Sequence, residues 1–570
     1  MNAYPLFKRR KTFCLDGLWE FAFLGDGVDL DLLDVDGIHF EDRLPVPSAF
    51  DAYPSYAGKR GTAVYRTEFD FPVECGGMIE FLSAGSYCRI YLDGQQVCAH
   101  HPSYVRFTVP IPPCTFPRRD LRVVIDNRFH PKRTPLQESF FDFYNYGGIL
   151  RSVTVHELPE TFLEYCHVVP RDVVVGDIEL TVYLGGHLPP EIDMNIMIDG
   201  RDAMLFENLP VNDGVARISL RLPNPTTWSP EAPNLHTLAV DIGQDDMIVR
   251  FGLREVRAQG GKILLNGKPV KLLGVCRHEA HPQFGPALPY QQLVQDVELL
   301  QDLGCNFVRG SHYPQDQRFL DLCDERGILF FEESMGWGQN KSHFTNPEFV
   351  DAQLNQTKTM ILTSFNHPCV LMWGFLNEGE SDVEEARHCY ESLIALIRKT
   401  DPSRLVTYAS FKRRTDLFLH LVDVVCYNTY PGWYNAFDDE DPLGQVLPKI
   451  RSDVEFLSGR EDLKDKPFLL SEIGGGALYG WKDPLNGPWT EEFQAELLKI
   501  VCGEVVGNDA ISGVSIWQFF DGRTYNCGRA LGRPRAFNNK GLLDEYRRPK
   551  QSYFQVRKIF REYTSASCPE

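Results

Sequence analysis

The chain has 570 residues, too many for one hydrophobic core, so roughly two to four domains are expected. Hydrophobic residues at 43% and charged residues at 24% mark a folded chain and exclude a disordered one. A formal charge of −20 excludes nucleic acid and anionic membrane surfaces as partners, and an anionic substrate would need a local cation against that field.

Residues 1–157 read as short β-segments separated by turns, with examples at 18–24, 63–69, 89–92 and 121–126. Asp93-Gly94 between two such segments is a hairpin signal. Helical periodicity is missing, so a jelly-roll-like β-sandwich is predicted. Its last part is an aromatic stretch with Phe140, Phe141, Asp142, Phe143, Tyr144, Asn145 and Tyr146. Asp142 in that loop is placed to reach a neighbouring site. Residues 158–256 carry further strands at 178–184, 192–198, 215–222 and 236–242, the spacing of an immunoglobulin-like sandwich. No chemistry shows there, and a spacer role is expected.

From residue 257 to 570 the pattern changes to strands alternating with helices. Strands are predicted at 270–275, 305–309, 329–332, 370–376, 405–409, 424–427, 468–471 and 514–517. Helices are expected at 290–303, 315–326, 348–365 and 383–399. Eight such units spell a (β/α)₈ TIM barrel. In that fold the reactive groups sit where strands end. The ends carry Arg277 and His278, Arg309 and His312, Glu332 and Glu333, Asn377 and Glu378, Asn428 and Tyr430, Glu472, and Trp517.

Two of these groups stand out. The apolar run Val370–Leu376 stops at Asn377 and Glu378, and a second run stops at Ser471 and Glu472. A buried strand that delivers a carboxylate to a rim, twice on one scaffold, suits paired carboxyls acting on a glycosidic bond. Retaining enzymes of that kind hold the two carboxyls about 5 Å apart, one as nucleophile and one as acid/base. Asn377 beside the acid is a candidate donor to a sugar 2-hydroxyl. Arg277-His278-Glu279-Ala280-His281 lacks the His-Glu-x-x-His spacing, so no metal is expected. Gly474-Gly475-Gly476 lacks a dinucleotide fingerprint, and no cofactor is expected. Glu332-Glu333 reads either as a solvated pair or as electrostatic support.

The whole chain resembles glycoside hydrolase family 2, which has a sandwich, an immunoglobulin-like domain and a barrel in this order. The matching segments are Leu15-Asp16-Gly17-Leu18-Trp19, Asn145-Tyr146-Gly147-Gly148-Ile149 and Arg309-Gly310-Ser311-His312-Tyr313-Pro314, with Asn377-Glu378 and Ser471-Glu472. The resemblance implies Glu378 as acid/base and Glu472 as nucleophile. Asn428-Thr429-Tyr430-Pro431-Gly432-Trp433-Tyr434 and Asn538-Asn539-Lys540-Gly541 resemble the β-glucuronidase branch. There Asn428 and Tyr430 would bind substrate, with Tyr430 near the nucleophile. Asn538 and Lys540 would grip the sugar carboxylate, a charge-assisted contact of about 1.5–3 kcal/mol. Trp517 would floor the sugar ring, and Asp142 with an arginine of the 533–535 segment would meet the 4-hydroxyl. Either Arg533 or Arg535 could serve.

The resulting expectation is a retaining exo-β-D-glucuronidase acting on small-molecule or oligosaccharide β-hexuronides. A β-galacturonidase or mixed hexuronidase differs only at C4 and stays open. A β-galactosidase is disfavoured by Lys540, and a non-catalytic carbohydrate-binding protein by the presence of both glutamates. The loop 334–346 is short, which predicts an open pocket. Fifteen scattered cysteines without a C-x-x-C pair, no apolar leader at the N-terminus and no run of 18 apolar residues predict a cytoplasmic chain with free thiols and no membrane span. Oligomeric state, including a homo-oligomer, stays open.

Overall fold

The computed structural model describes residues 3–137, 141–434, 440–525 and 532–567. Phe140 of the aromatic stretch lies outside them.

The first unit is a sandwich of a six-stranded and a four-stranded sheet. Trp19, Phe21, Tyr65, Ile79, Phe81, Val109 and Val123 fill the space between them. The predicted hairpin pairs Tyr87–Leu92 with Gln95–His100. Asp93 and Gly94 take φ of 53° and 77°, as a two-residue primed turn requires. The second unit packs Thr161–Asp172, Asp177–Gly186 and Val215–Arg221 against Arg201–Pro210, Glu191–Ile198, His236–Asp241 and Asp246–Phe251. Three of these seven strands, Thr161–Asp172, Arg201–Pro210 and Asp246–Phe251, were not anticipated. Arg201–Pro210 is an edge strand, and edge strands carry weaker apolar alternation than central ones.

The third unit is a parallel barrel. Its sheet runs in the order Leu405–Thr407, Val370–Gly374, Leu329–Glu333, Phe307–Gly310, Leu272–Arg277, Gly513–Ile516, Phe468–Ile473, Val425–Asn428, Ala409–Ser410. Barrel strands such as Leu272–Arg277 and Val370–Gly374 are buried along their whole length, because helices cover one face and the barrel interior the other. Leu405–Ala409 was expected as one strand, and here the structure differs. Leu405–Thr407 pairs with the fourth strand and Ala409–Ser410 with the sixth. Between them the buried Tyr408 turns aside, and its hydroxyl donates to Asp416 Oδ1 at 2.6 Å. The fourth strand is also shorter than expected, ending at Gly374. Its helix begins at Arg387, after the single 3₁₀ turn Glu384–Ala386.

The sandwich is bolted to the barrel through buried charge. Arg151, which follows the Gly148–Ile149 strand, donates from Nη2 to Glu279 Oε2 at 2.9 Å and to the Pro314 carbonyl at 2.7 Å. Both side chains of the pair are at most 5% exposed. Glu279 also accepts from the Asp316 backbone amide. Every cysteine among the described residues is free, and among them no helix is long and apolar enough to cross a membrane.

Removing one member of a buried ion pair strands the other charge, at about 3–5 kcal/mol. Arg151→Met is therefore expected to lower the denaturant midpoint strongly. Arg151→Met combined with Glu279→Gln should cost less than Arg151→Met alone. Equal losses for the two variants would show that the pairing of charge is not what joins the units.

Candidate active site

Arg309, at the end of the second barrel strand, is the hub of the barrel mouth. It is fully buried. Nε donates to Glu333 Oε1 at 2.7 Å, and Nη1 to Glu472 Oε1 at 2.8 Å and the Ser471 carbonyl at 3.0 Å. Nη2 donates to Asn377 Oδ1 at 2.7 Å. One planar fork thus joins the ends of the second, third, fourth and seventh strands, a geometry a lysine point charge would not reproduce. Glu332 and Glu333 are both buried, which removes the solvated-pair reading. Glu333 takes Arg309 and His312 Nδ1, the latter at 3.0 Å, and Glu332 accepts from Ser364.

Asn377 and Glu378 sit three and four residues beyond their strand, which ends at Gly374. Leu376 and Glu378 have φ of 47° and 54°, a left-handed backbone that non-glycine residues adopt rarely and at a cost. The turn is held from both sides. The Asn377 amide donates to Gly336 O, and the Glu378 amide to Ala409 O at 3.0 Å. Asn428 Nδ2 then donates to both Asn377 Oδ1 and Glu378 Oε1 at 3.0 Å, and Ser471 Oγ to Asn428 Oδ1. Asn377 Nδ2 is buried with no partner among the described residues.

The two carboxyls live in different surroundings. Glu472 receives Arg309 and the Tyr430 hydroxyl, the latter at 2.6 Å. Among the described residues Glu378 receives only the Asn428 amide. Burial, and then the charge of Glu472, push its pKa up to about 8. A carboxyl that keeps its proton at neutral pH beside one matched to a cation is the division an acid and a nucleophile need. His312 is held neutral, its pKa lowered to about 3 by burial and by Arg309. Its Nε2, 3.7 Å from Glu472, is therefore a neutral contact rather than an ion pair. His312 stacks flat on Trp517, with centroids 5.2 Å apart and planes at 12°.

A second wall comes from outside the barrel. The aromatic loop of the first sandwich enters the mouth, where Phe143 packs on His278 and His312, and Phe141 on Trp337. The Tyr144 amide donates to Arg523 O. Asp142 at the tip pairs with Arg533, whose Nε reaches Oδ1 at 2.7 Å and whose Nη2 reaches Oδ2. Asn538 Nδ2 adds a third bond, to Oδ2, at 3.1 Å. Arg535 points elsewhere, to Glu545 and Asn539, so Arg533 is the arginine at this wall. Lys540 is 2% exposed. Its ammonium meets the Tyr434 hydroxyl at 3.2 Å and lies near the faces of Tyr430, Trp433 and Tyr434. It forms no ion pair among the described residues, and burial with nearby Arg533 brings its pKa down to about 7.

These walls enclose a cavity of about 730 Å³, within the range of small-molecule sites. Of the expected site residues, Asp142, Glu378, Asn428, Tyr430, Glu472 and Trp517 line it. His312, Asn377, Asn538 and Lys540 stand one side chain further back, each touching a lining residue or its neighbour. Reading the sequence named Arg533 only as one of two candidate arginines, and did not single out Tyr434, Trp337, Phe411 or Arg413 as part of the wall, nor Arg309 with Glu333 as its hub. Arg309 had a visible signal in its place before His312 at a strand end. Phe411 and Arg413 had none.

A buried, unpaired lysine opposes folding. Its folded pKa lies below the unfolded value, so the penalty is fully present below about pH 7 and fades as pH rises towards the ordinary lysine range. Lys540→Met is expected to raise the thermal midpoint at pH 6, with the gain shrinking at pH 9 to 10. A destabilised Lys540→Met at pH 6 would mean that the ammonium is well compensated.

A family model described as "Glycosyl hydrolases family 2, TIM barrel domain" matches residues 256–564. Among solved structures, a β-galacturonidase of Eisenbergiella tayi bound to galacturonate is 34% identical. It superposes with a TM-score of 0.87, covering 99% of this chain and 98% of that one. A β-glucuronidase of Faecalibacterium prausnitzii is 25% identical with a TM-score of 0.85, covering 97% and 98%. Among curated proteins, the β-glucuronidase of Streptococcus agalactiae serotype V is 28% identical over 97% of each chain.

Proposed function

The chain belongs to glycosyl hydrolases family 2 and is a glycoside hydrolase; on that premise we propose that it is a retaining exo-β-hexuronidase. One observation carries this reading. Lys540 is a buried cation with no carboxylate partner among the described residues, and it stands with Asn538 behind a cavity that also holds two carboxyls. A substrate carboxylate supplies the missing charge. A neutral hexoside would leave the cation unpaired and desolvated, a penalty that selects against it.

In the proposed reaction Glu472 attacks the anomeric carbon and Glu378 delivers its proton to the leaving oxygen. Glu378, now a carboxylate, takes a proton from water, which attacks the same carbon and releases the sugar with Glu472 restored. The Tyr430 hydroxyl and Arg309 hold the Glu472 carboxylate. Asn377 Nδ2, without a partner among the described residues, is the donor for the sugar 2-hydroxyl. Trp517, braced by His312, floors the ring. Asn538 and Lys540 hold the carboxylate, and the Asp142–Arg533 pair reads C4.

Two epimers fit this description. A β-D-glucuronide reading is supported by the Asn428–Tyr434 and Asn538–Lys540 motifs and by the curated relatives. A β-D-galacturonide reading is favoured by the higher identity, 34%, to the Eisenbergiella tayi enzyme. Free thiols throughout the described residues support a reducing, cytoplasmic setting.

Aryl β-glucuronide, β-galacturonide, β-galactoside and β-glucoside assayed together decide between these readings. Glu472→Gln should abolish uronide turnover in a folded protein, and residual activity near wild type would remove the nucleophile. Lys540→Ala should reduce kcat/KM for uronides by about tenfold or more while sparing neutral glycosides. An equal loss for both would remove the carboxylate clamp. Because Glu378 must carry its proton, turnover should fall as pH rises through about 8. A kcat flat to pH 10 would take Glu378 out of the acid role.

A further inference from the structure

The active-site cavity continues. Arg413, Thr429, Tyr430 and Tyr434 form its wall and also the wall of an adjoining cavity of about 610 Å³. The far side of that second cavity is built by the start of the helix Val446–Ser458, which presents Lys449 and Ser452.

Several observations place this extension on the leaving-group side. The acid, Glu378, is tied by its backbone to Ala409. The chain then runs through Ser410 to Phe411 and Arg413, both of which line the active-site cavity. The side chains proposed to meet C4 and the carboxylate come from Asp142 and the 533–540 segment, and Tyr434, on the shared wall, touches Lys540. Phe411 is 44% exposed and lines the same cavity as the acid, with the Lys412 ammonium 4.9 Å from its ring centroid.

The extension is also charged in one sense. Arg413 is fixed at the junction, its Nη1 donating to buried Asp453 at 3.1 Å and to Thr429 Oγ1 at 3.3 Å. Its Nε and Nη2 have no partner among the described residues. Lys449 makes no ion pair among them. Among the described residues the lining of the second cavity holds these two cations, Arg413 already paired with Asp453 behind it, and no carboxylate, on a chain whose net charge is −20. A cleft of one sign within a field of the other concentrates ligands of matching charge.

Building on the hexuronidase reading, we propose that the second cavity is a leaving-group subsite for acidic saccharides. The residues beyond the cleaved bond would carry a carboxylate or a sulfate against Arg413 and Lys449, with a sugar ring on Phe411. The enzyme would then trim a terminal uronosyl unit from an acidic oligosaccharide.

The test uses trisaccharides ending in the β-uronosyl unit that the aryl panel identifies. Their other two residues are neutral, uronate-bearing or sulfated. Wild-type kcat/KM should be about tenfold higher for the acidic members than for the neutral one, with the advantage shrinking as salt rises. The uronate and sulfate members show which anion is preferred. Lys449→Glu should remove most of that advantage while aryl uronide and neutral trisaccharide turnover stay within about twofold, which also shows that the variant folds. Equal turnover of acidic and neutral trisaccharides by the wild type, or an unchanged preference in Lys449→Glu, would overturn the subsite and leave the hexuronidase standing. Failure of every aryl uronide in the panel would bring down both.

Discussion

The barrel mouth depends on one guanidinium. Arg309 is held away from water, where an uncompensated charge is costly, and three other strand ends converge to satisfy it. Each contact has a second consequence. Glu333 is drawn inward and orients His312, which braces Trp517. Asn377 gives its side-chain carbonyl oxygen to Arg309, and its amide nitrogen stays buried with no partner among the described residues. Glu472 has its charge matched, whereas Glu378, a short distance along the rim, receives none of these donors. The inequality between the two carboxyls follows from which of them the arginine reaches. Burial then acts on Glu378 unopposed by an ion pair and holds its proton near neutral pH.

The proposed selectivity rests on a different set of charges, and its parts come from separate units of the chain. The first sandwich contributes Asp142 on an aromatic loop, locked to the barrel by ring packing and by Arg533. The C-terminal part of the barrel contributes Asn538 and Lys540. The two sets meet at Asp142, where Arg533 and Asn538 bind the same carboxylate. Lys540 next to them is left with aromatic faces and a phenol. Lys540, the cation proposed to meet an anionic sugar, thus forms no ion pair among the described residues, although Asp142, Glu472 and Glu378 lie close enough to act on its charge. The cost is borne in stability, and the ion pairs that join sandwich to barrel are part of what carries it.

Much of the fold was legible because barrel strands are covered on both faces and read as unbroken apolar runs ending in polar residues. Val370–Gly374 followed by Asn377-Glu378 is the clearest case, and Phe468–Ile473 containing Glu472 the second. Where the chain departed from that pattern the reading slipped. The fifth strand looked continuous because Tyr408 is as apolar as its neighbours; only its hydroxyl, bound to Asp416, shows that it leaves the sheet. Arg533 and Arg535 lie two residues apart in one segment, and no local feature says which faces the cavity. The structure separates them by partner, Asp142 for one and Glu545 for the other.

What the sequence by itself determined is the order of two sandwiches and a barrel, the strand ends, and the residue types at them, since periodicity and turn chemistry are local properties. Two glutamates at strand ends suggested a cut glycosidic bond, and the resemblance at Asn538–Gly541 implied an acidic sugar. The tertiary structure decided the rest: that Arg309 serves Glu472 and not Glu378, that Asp142 crosses from the sandwich to Arg533, and that Arg413 and Lys449 share one groove. These facts rest on contacts between residues tens to hundreds of positions apart. Such contacts set burial and charge balance, and no stretch of the chain carries either one alone.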